Sequence, residues 1–301
     1  MKEICAALEA ILGEKPLTEE PLSRHISFRV GGPAEIFVKP QTPEAMASVW
    51  KTCRAYGVPL TLLGDGTNVL VADAGIRGVV VSTNKMNAIE LLDQHRIRAQ
   101  AGARLSKVAE VACKAGLAGF EFASGIPGTV GGAVYMNAGA YGHDIGEFCQ
   151  CITLLTTDGQ LVKTCEEMGF GYRQSIIQNA DTLVLEAVFQ LAPGHEPEIR
   201  RVMNDLNNRR RLSQPLDFPS AGSTFKRPPG HFAGKLIEDS GLKGFAIGGA
   251  MVSEKHAGFV INTGQATAQN IFDIISAVRE KVYQDAAVWL EPEVKLLGFE
   301  V

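Results

Sequence analysis

Two glycine-rich stretches of this 301-residue chain have the composition of loops that admit an anion. The first, Gly64-Asp65-Gly66-Thr67-Asn68, directly follows the apolar run Leu60-Thr61-Leu62-Leu63. Glycine lets the chain turn tightly and lets backbone N–H groups approach a phosphate without side-chain obstruction. Thr67 and Asn68 add a hydroxyl and an amide. This is not a dinucleotide fingerprint, because Val69 stands where a third glycine should fall and a strand, not a helix, is predicted to follow. A tight turn between two strands would carry the same residues, and both readings stand. The second stretch, Ser124-Gly125-Ile126-Pro127-Gly128-Thr129-Val130-Gly131-Gly132, holds four glycines in nine residues. Small residues continue through Ala133, Asn137, Ala138, Gly139 and Ala140. So little side-chain volume implies that something else fills the space, a ligand or a closely approaching helix. Thr129 stands where it would cap a helix beginning near Val130 and aim its N-terminal amides at a phosphate. Two such loops suit a large phosphorylated ligand, and a dinucleotide fits.

The rest of the chain must position those loops. Hydrophobic residues make up 46% and charged residues 21%, the mix of a globular protein. Lys+Arg 29 against Asp+Glu 33 leaves a net charge of −4, which gives no electrostatic reason to bind nucleic acid. No apolar run approaches the roughly 18 residues of a membrane span. Ile4, Leu8, Ile11 and Leu12 fall at helical spacing, so the N-terminus reads as an amphipathic helix, not a signal peptide. The six cysteines form no CxxC pair and the six histidines show no ligand spacing, so no disulfide framework and no metal are expected. The composition is that of a reduced, cytoplasmic protein, and a monomer is expected.

The first third alternates strands (34–40, 60–64, 69–72, 79–82) with a helix over 43–56, as a small α/β unit does. Beyond residue 88 the pattern predicts strands at 95–102, 151–159 and 182–191 of a mainly antiparallel sheet, with a helix over 104–115. Ala192-Pro193-Gly194 breaks it, and a polar helix over 196–212 follows. The run Asn207-Asn208-Arg209-Arg210-Arg211 at its end reads as a solvated face with one ligand-facing arginine. The remainder predicts a helix at 233–241, strands at 246–253 and 258–262, a long helix over 267–287 and a final strand at 293–301. His256 reads as structural. The fold class is α+β, mixed α/β, with one region over 1–193 (parts about 1–85 and 86–193) and a second over 194–301.

Six motifs occur in order: SFRVGG at 27–32, GDGTNVLV at 64–71, SGIPGTVGGAVYMNAGAYG at 124–142, GYRQS at 171–175, PSAGSTFKRP at 219–228 and EPEV at 291–294. In this combination the chain resembles the shorter form of the UDP-N-acetylenolpyruvoylglucosamine reductase family. The resemblance implies an FAD-binding region of the p-cresol-methylhydroxylase (vanillyl-alcohol-oxidase) type, made of two α/β subdomains. It adds a C-terminal α+β domain that binds substrate, whose last strand returns Glu293 to the flavin. FAD would be held non-covalently, its pyrophosphate on the two glycine loops. With no dinucleotide fingerprint for NADPH, one site above the flavin would receive NADPH and then the nucleotide sugar.

The implied reaction reduces an enolpyruvyl ether to a lactyl ether, making UDP-N-acetylmuramate for peptidoglycan. NADPH reduces the flavin, and hydride then passes from N5 to the enolpyruvyl CH₂ carbon. Charge builds on the neighbouring carbon and spreads into a carboxylate that is already anionic. A fixed cation at the carboxylate and a proton donor at the carbon are therefore the chemical needs. Arg173, in GYRQS, matches the family's catalytic arginine, whose guanidinium grips a carboxylate through two bonds and stays charged. Glu293 matches the catalytic glutamate, a neutral donor if the substrate carboxylate raises its pKa; Glu291 does not match. Ser223 matches the proton donor, although a serine after glycine also serves as a plain turn residue. Tyr141, Tyr172, Lys226, Arg227 and Asn68 match positions that face the nucleotide sugar, with Arg227 standing where many members carry asparagine. The competing expectations are another FAD-dependent oxidase or dehydrogenase of the same superfamily, or a flavin- or nucleotide-sugar-binding module without activity.

Overall fold

The computed structural model describes residues 1–299; Glu300 and Val301, the end of the predicted final strand, lie outside the described residues. Two compact units are formed, one from residues 1–17, 37–65 and 79–210, the other from 18–36, 66–78 and the described residues from 211 onward.

In the first unit, helix α1 (Lys2–Leu12) buries Ile4 and Leu8 and packs on α2 (Pro43–Ala55). Helix α2 starts where the sequence supplies a cap: Thr42 accepts a bond from the Ala45 N–H (3.2 Å) and Pro43 follows it. Its buried face is Met46, Val49, Trp50 and Cys53, spaced as one side of a helix. Burial pushes the Cys53 thiol up to about 11, so it packs as a small hydrophobe. Strand Leu60–Leu63 pairs in parallel with the end of Ile76–Ser82, Leu60 opposite Val79 and Leu63 opposite Ser82. Gly64 therefore emerges at the carboxyl end of a parallel strand, where open α/β sheets bind ligands.

The larger part of this unit is a five-stranded antiparallel sheet. Its order is Gly159–Thr164, Cys149–Thr156, Leu183–Gln190, Arg96–Gln100, Ile89–Leu91. Helices α3 (Leu105–Lys114) and α4 (Val130–Met136) cover one face. Its core joins Leu105, Val108 and Ala112 of α3 to Val134 of α4, with the Phe120 and Phe189 rings 4.9 Å apart. Helix α5 (Glu196–Ser213) closes the unit through Ile199 and Met203.

In the second unit, α6 (Ala233–Asp239) packs on α7 (Ala268–Ala286). Helix α7 buries Ile271, Ile274, Ile275, Val278 and Val282 against a small antiparallel sheet. That sheet corrects one expectation: 246–253 is not one strand but two, Ala246–Ile247 and Ala250–Val252, turned by Gly248-Gly249 with Gly248 at φ 55°. The third strand, Val260–Asn262, completes it. The N-terminus of α7 is doubly satisfied. Thr267 and Asn270 form a reciprocal capping box, and the Asp73 carboxylate accepts from the Ala268 and Gln269 amides (2.9 and 3.0 Å).

His256 is a packing residue in this unit: its Nδ1 accepts from the Gly258 N–H (3.1 Å) and its ring meets Phe259 edge-on at 4.9 Å. Burial lowers its pKa, so the folded chain keeps the imidazole neutral. An unfolded histidine takes a proton near pH 6.5, so acidification through that value favours the unfolded chain. His256→Asn keeps an acceptor for the Gly258 N–H but cannot titrate. The slope of Tm against pH between about 5 and 7 is expected to flatten in this variant, and identical slopes would refute the assignment.

Candidate active site

The loop after strand Leu60–Leu63 places Gly64 and Asp65 in the first unit and Gly66, Thr67 and Asn68 in the second. On the first side, a Cβ at Gly64 would stand 2.5 Å from Thr129 Oγ1. Thr129 is at the N-cap of α4, as its sequence position predicts, but its hydroxyl makes no capping bond. Instead Oγ1 is buried with no hydrogen-bond partner. Such a group costs about 1–3 kcal/mol unless a ligand satisfies it. A bare backbone approach beside an orphan hydroxyl fits a phosphate-bearing cofactor such as FAD. Asp65 serves the loop itself, since its carboxylate pairs with Arg104 Nε at 3.1 Å and so pins the loop to the start of α3.

The second glycine stretch divides into two kinds of residue. Gly131 answers to packing, since its Cβ would stand 3.1 Å from that of Ala101, whose carbonyl accepts from the Gly131 N–H. Gly125 answers to α5, where Asn207 Oδ1 would stand 2.4 Å from its Cβ. Asn207 also donates to Ser124 Oγ (3.3 Å), which in turn donates to the Glu121 carbonyl (2.8 Å). Gly132, by contrast, would meet nothing closer than Thr129 Oγ1 at 3.8 Å. Ile126, Pro127 and Gly128, the last at φ 126°, complete the turn into α4. Thus helix and ligand space are both present in one loop. Asn207, with Arg210 whose Cδ would stand 3.4 Å from that same Cβ, belongs to this neighbourhood. The only signal for it in the sequence was the NNRRR run.

Arg173 sits in a two-residue turn. Gly171 and Gln174 exchange both backbone bonds (3.0 and 3.1 Å), leaving Tyr172 and Arg173 at the tip. The Arg173 φ is 56°, a left-handed conformation that costs a residue with a side chain about 1 kcal/mol or more. Its Nη2 donates to the Gly139 carbonyl at 3.2 Å, and its guanidinium lies 5.2 Å from the centre of the exposed Tyr172 ring. Tyr141, also left-handed at φ 57°, sends its hydroxyl to the Leu206 carbonyl of α5 (2.9 Å).

In the second unit, three distant motifs are laced together by main-chain bonds. Strand Lys295–Leu297 lies parallel to Val69–Val71, and the Lys295 N–H donates to the Asn68 carbonyl (3.0 Å). Asn68 Nδ2 returns a bond to the Glu293 carbonyl (3.1 Å). On its other side, the Glu293 N–H donates to the Thr224 carbonyl (2.8 Å) and the Lys226 N–H to that of Glu291 (2.9 Å). Thr224 thus lies opposite Glu293 in this ladder, and Ser223, exposed, is the residue before it, although seventy residues of chain separate Ser223 from Glu293. The Thr224 hydroxyl is buried and accepts from the Val260 N–H (3.0 Å), which fixes the backbone that presents Ser223. Gly66 is tight, with a Cβ there standing 2.4 Å from the His25 carbonyl oxygen, and its own carbonyl accepts from the Ser27 N–H (3.0 Å).

Lys226 forms an ion pair with Glu291. Lys295 has its pKa lowered by burial and by Lys226, against the opposing pull of Glu291 and Glu293. Arg227 places its guanidinium over the exposed Phe232 ring, 3.9 Å from its centre, and donates through Nε to the His231 carbonyl (3.3 Å). Thr67 and Glu293 both make further interactions.

Two family models match the chain. A family model described as FAD binding domain matches residues 34–165. A second, described as UDP-N-acetylenolpyruvoylglucosamine reductase, C-terminal domain, matches residues 214–297. The chain is 47% identical over 298 residues to UDP-N-acetylenolpyruvoylglucosamine reductase from Clostridium perfringens, with 98% of each chain covered. The chain belongs to the UDP-N-acetylenolpyruvoylglucosamine reductase family. Another member, from Clostridioides difficile, is 49% identical over 282 residues, covering 93% of this chain and 92% of that one. The crystal structure of UDP-N-acetylenolpyruvylglucosamine reductase from Thermus caldophilus superimposes with a TM-score of 0.79 at 32% identity, over 94% of this chain and 98% of that one. Both glycine loops fall in the FAD-binding match, and Ser223 and Glu293 in the C-terminal reductase match. Arg173 falls between the two. Among the described residues, no helix is long and apolar enough to cross a membrane.

Proposed function

We propose that this chain reduces UDP-N-acetylglucosamine enolpyruvate to UDP-N-acetylmuramate with electrons from NADPH, a cytoplasmic step of peptidoglycan synthesis. The observation that supports this reading most is the main-chain ladder that joins the Ser223 and Glu293 segments in the second unit of a family member. FAD, when bound, would supply the two-electron hydride chemistry that links NADPH to the enolpyruvyl group. Its pyrophosphate is assigned to Gly64 to Asn68 and Ser124 to Gly132, where the Thr129 hydroxyl awaits a partner.

The protein's own groups do the rest. Arg173 binds the substrate carboxylate, and its permanent charge stabilises the negative charge that grows there during reduction. Ser223 delivers a proton to the carbon beside the carboxylate. A hydroxyl is a weak acid, but the carbon anion is a much stronger base, so the transfer runs downhill. Glu293, protonated beside the substrate carboxylate, donates a hydrogen bond to it. Tyr141, Tyr172, Lys226 and Arg227 are assigned to the nucleotide sugar, the two cations suiting its diphosphate, with residues 194–301 as the substrate-binding part.

Purified protein should be yellow. Under anaerobic conditions NADPH should bleach it, and the enolpyruvyl nucleotide sugar should restore the colour. Double-reciprocal plots at several fixed concentrations of the second substrate should be parallel, as expected when NADP⁺ leaves before the sugar enters the same site. Intersecting lines would reject the shared site, and a reduced protein that the sugar leaves colourless would reject the function.

A further inference from the structure

We propose that Gln178 is a positioning residue for Arg173, holding the strained turn so that its guanidinium points one way. This rests on the role assigned to Arg173 above. The turn needs such a support: its tip residue has a left-handed φ that glycine or asparagine would adopt far more readily.

The support is anchored at the end of α4. A helix leaves its last carbonyls without intrahelical partners, and the Tyr135 carbonyl is met by two side chains from the segment after the turn. Ser175 Oγ donates to it at 2.7 Å and Gln178 Nε2 at 2.8 Å. The same Gln178 amide nitrogen donates to the Arg173 carbonyl at 3.1 Å. The two short bonds of this amide thus go to the helix end and to the residue whose conformation is strained, with the Met136 sulfur a longer third neighbour at 3.9 Å. Ser175 and Ile177 are buried, so the backbone carrying Gln178 is itself fixed. On the far side of the turn, Asn137 Nδ2 donates to the Gly171 carbonyl (3.0 Å) while its Oδ1 accepts from the Gly146 N–H (2.9 Å).

The helix that receives these bonds begins at the Gly128–Gly132 stretch. Gln178 therefore links the direction of the arginine to the element that carries the cofactor loop. A displacement of about 1 Å in a positioned group can cost on the order of 100-fold in rate, so a residue that touches neither substrate nor cofactor can control reduction of the sugar.

The test uses Gln178→Leu, similar in size without the donors, and Gln178→Asn, which keeps an amide one methylene too short to span both carbonyls. Two measurements are made on the FAD-loaded protein. Hydrogen exchange at the Gly171 and Gln174 amides, which close the turn, should quicken by about tenfold or more. Reoxidation of the NADPH-bleached protein by the enolpyruvyl sugar should slow by about 10- to 100-fold, while bleaching by NADPH and the amount of FAD retained stay at wild-type levels. Unchanged exchange, unchanged reoxidation, or equal losses in bleaching and reoxidation would each overturn the proposal. If the wild-type protein is not reoxidised by the sugar, the function assigned above fails instead. The exchange comparison, which needs no substrate, still decides whether Gln178 holds the turn.

Discussion

Replacing Ser223 by alanine is expected to leave reduction of the protein by NADPH intact and to slow its reoxidation by the enolpyruvyl sugar by about 10²- to 10⁴-fold, the usual worth of a positioned proton donor. In the proposed reaction the two halves separate because only the second places a proton on carbon. Ser223 is exposed, and the backbone around it is fixed by bonds made by its neighbours: the Thr224 N–H to the Gly258 carbonyl, the Val260 N–H to the Thr224 hydroxyl, and the Glu293 N–H to the Thr224 carbonyl. Removing one hydroxyl should therefore shift stability by no more than about 0.5 kcal/mol. Stopped-flow absorbance of the two half-reactions, with a melting curve as control, checks this. Equal losses in both half-reactions would take the proton-donor role from Ser223.

Arg173→Lys is expected to slow reoxidation by about 10²- to 10³-fold, comparable with loss of one preorganised donor to a growing anion. Charge is conserved in this substitution, so the loss reports geometry. An ammonium is a point charge and cannot reproduce a planar fork that binds both carboxylate oxygens. The lysine would inherit the left-handed φ of 56° but lose the bond from Nη2 to the Gly139 carbonyl. Its charge would be free to wander just where charge must stand still. Single-turnover reoxidation across a range of sugar concentrations separates weaker binding from a slower step, and wild-type behaviour at saturation would mean that Arg173 only binds.

Much of this was legible in the sequence, for identifiable reasons. Helices α2, α3 and α7 were clear because their apolar residues recur at helical spacing and two of them start at threonine caps. The two glycine loops stood out because glycine and small polar residues cluster where backbone comes close, as at Gly64 beside Thr129. Less legible was why each glycine is there. Gly131 serves a contact with Ala101 and Gly125 one with Asn207, and neither partner can be read from local composition. Strand Gly159–Thr164 was missed because it is an exposed edge strand with little apolar content. Thr129 looks like an ordinary helix cap from its spacing, and only coordinates reveal that its hydroxyl makes no such bond. The left-handed tip at Arg173 breaks local preference altogether. Strain of this kind is where propensity reasoning fails and where function tends to reside.

The pairing of Lys295–Leu297 with Val69–Val71 has a kinetic consequence. The bond from Asn68 Nδ2 to the Glu293 carbonyl closes a separation of 225 residues, and contacts so remote in sequence are slow to find one another because the intervening chain must first be ordered. Helical and hairpin signals should thus return early when the denatured chain is renatured, while catalytic competence lags behind them. For an interval the molecule would be compact, largely native by circular dichroism, and still chemically silent.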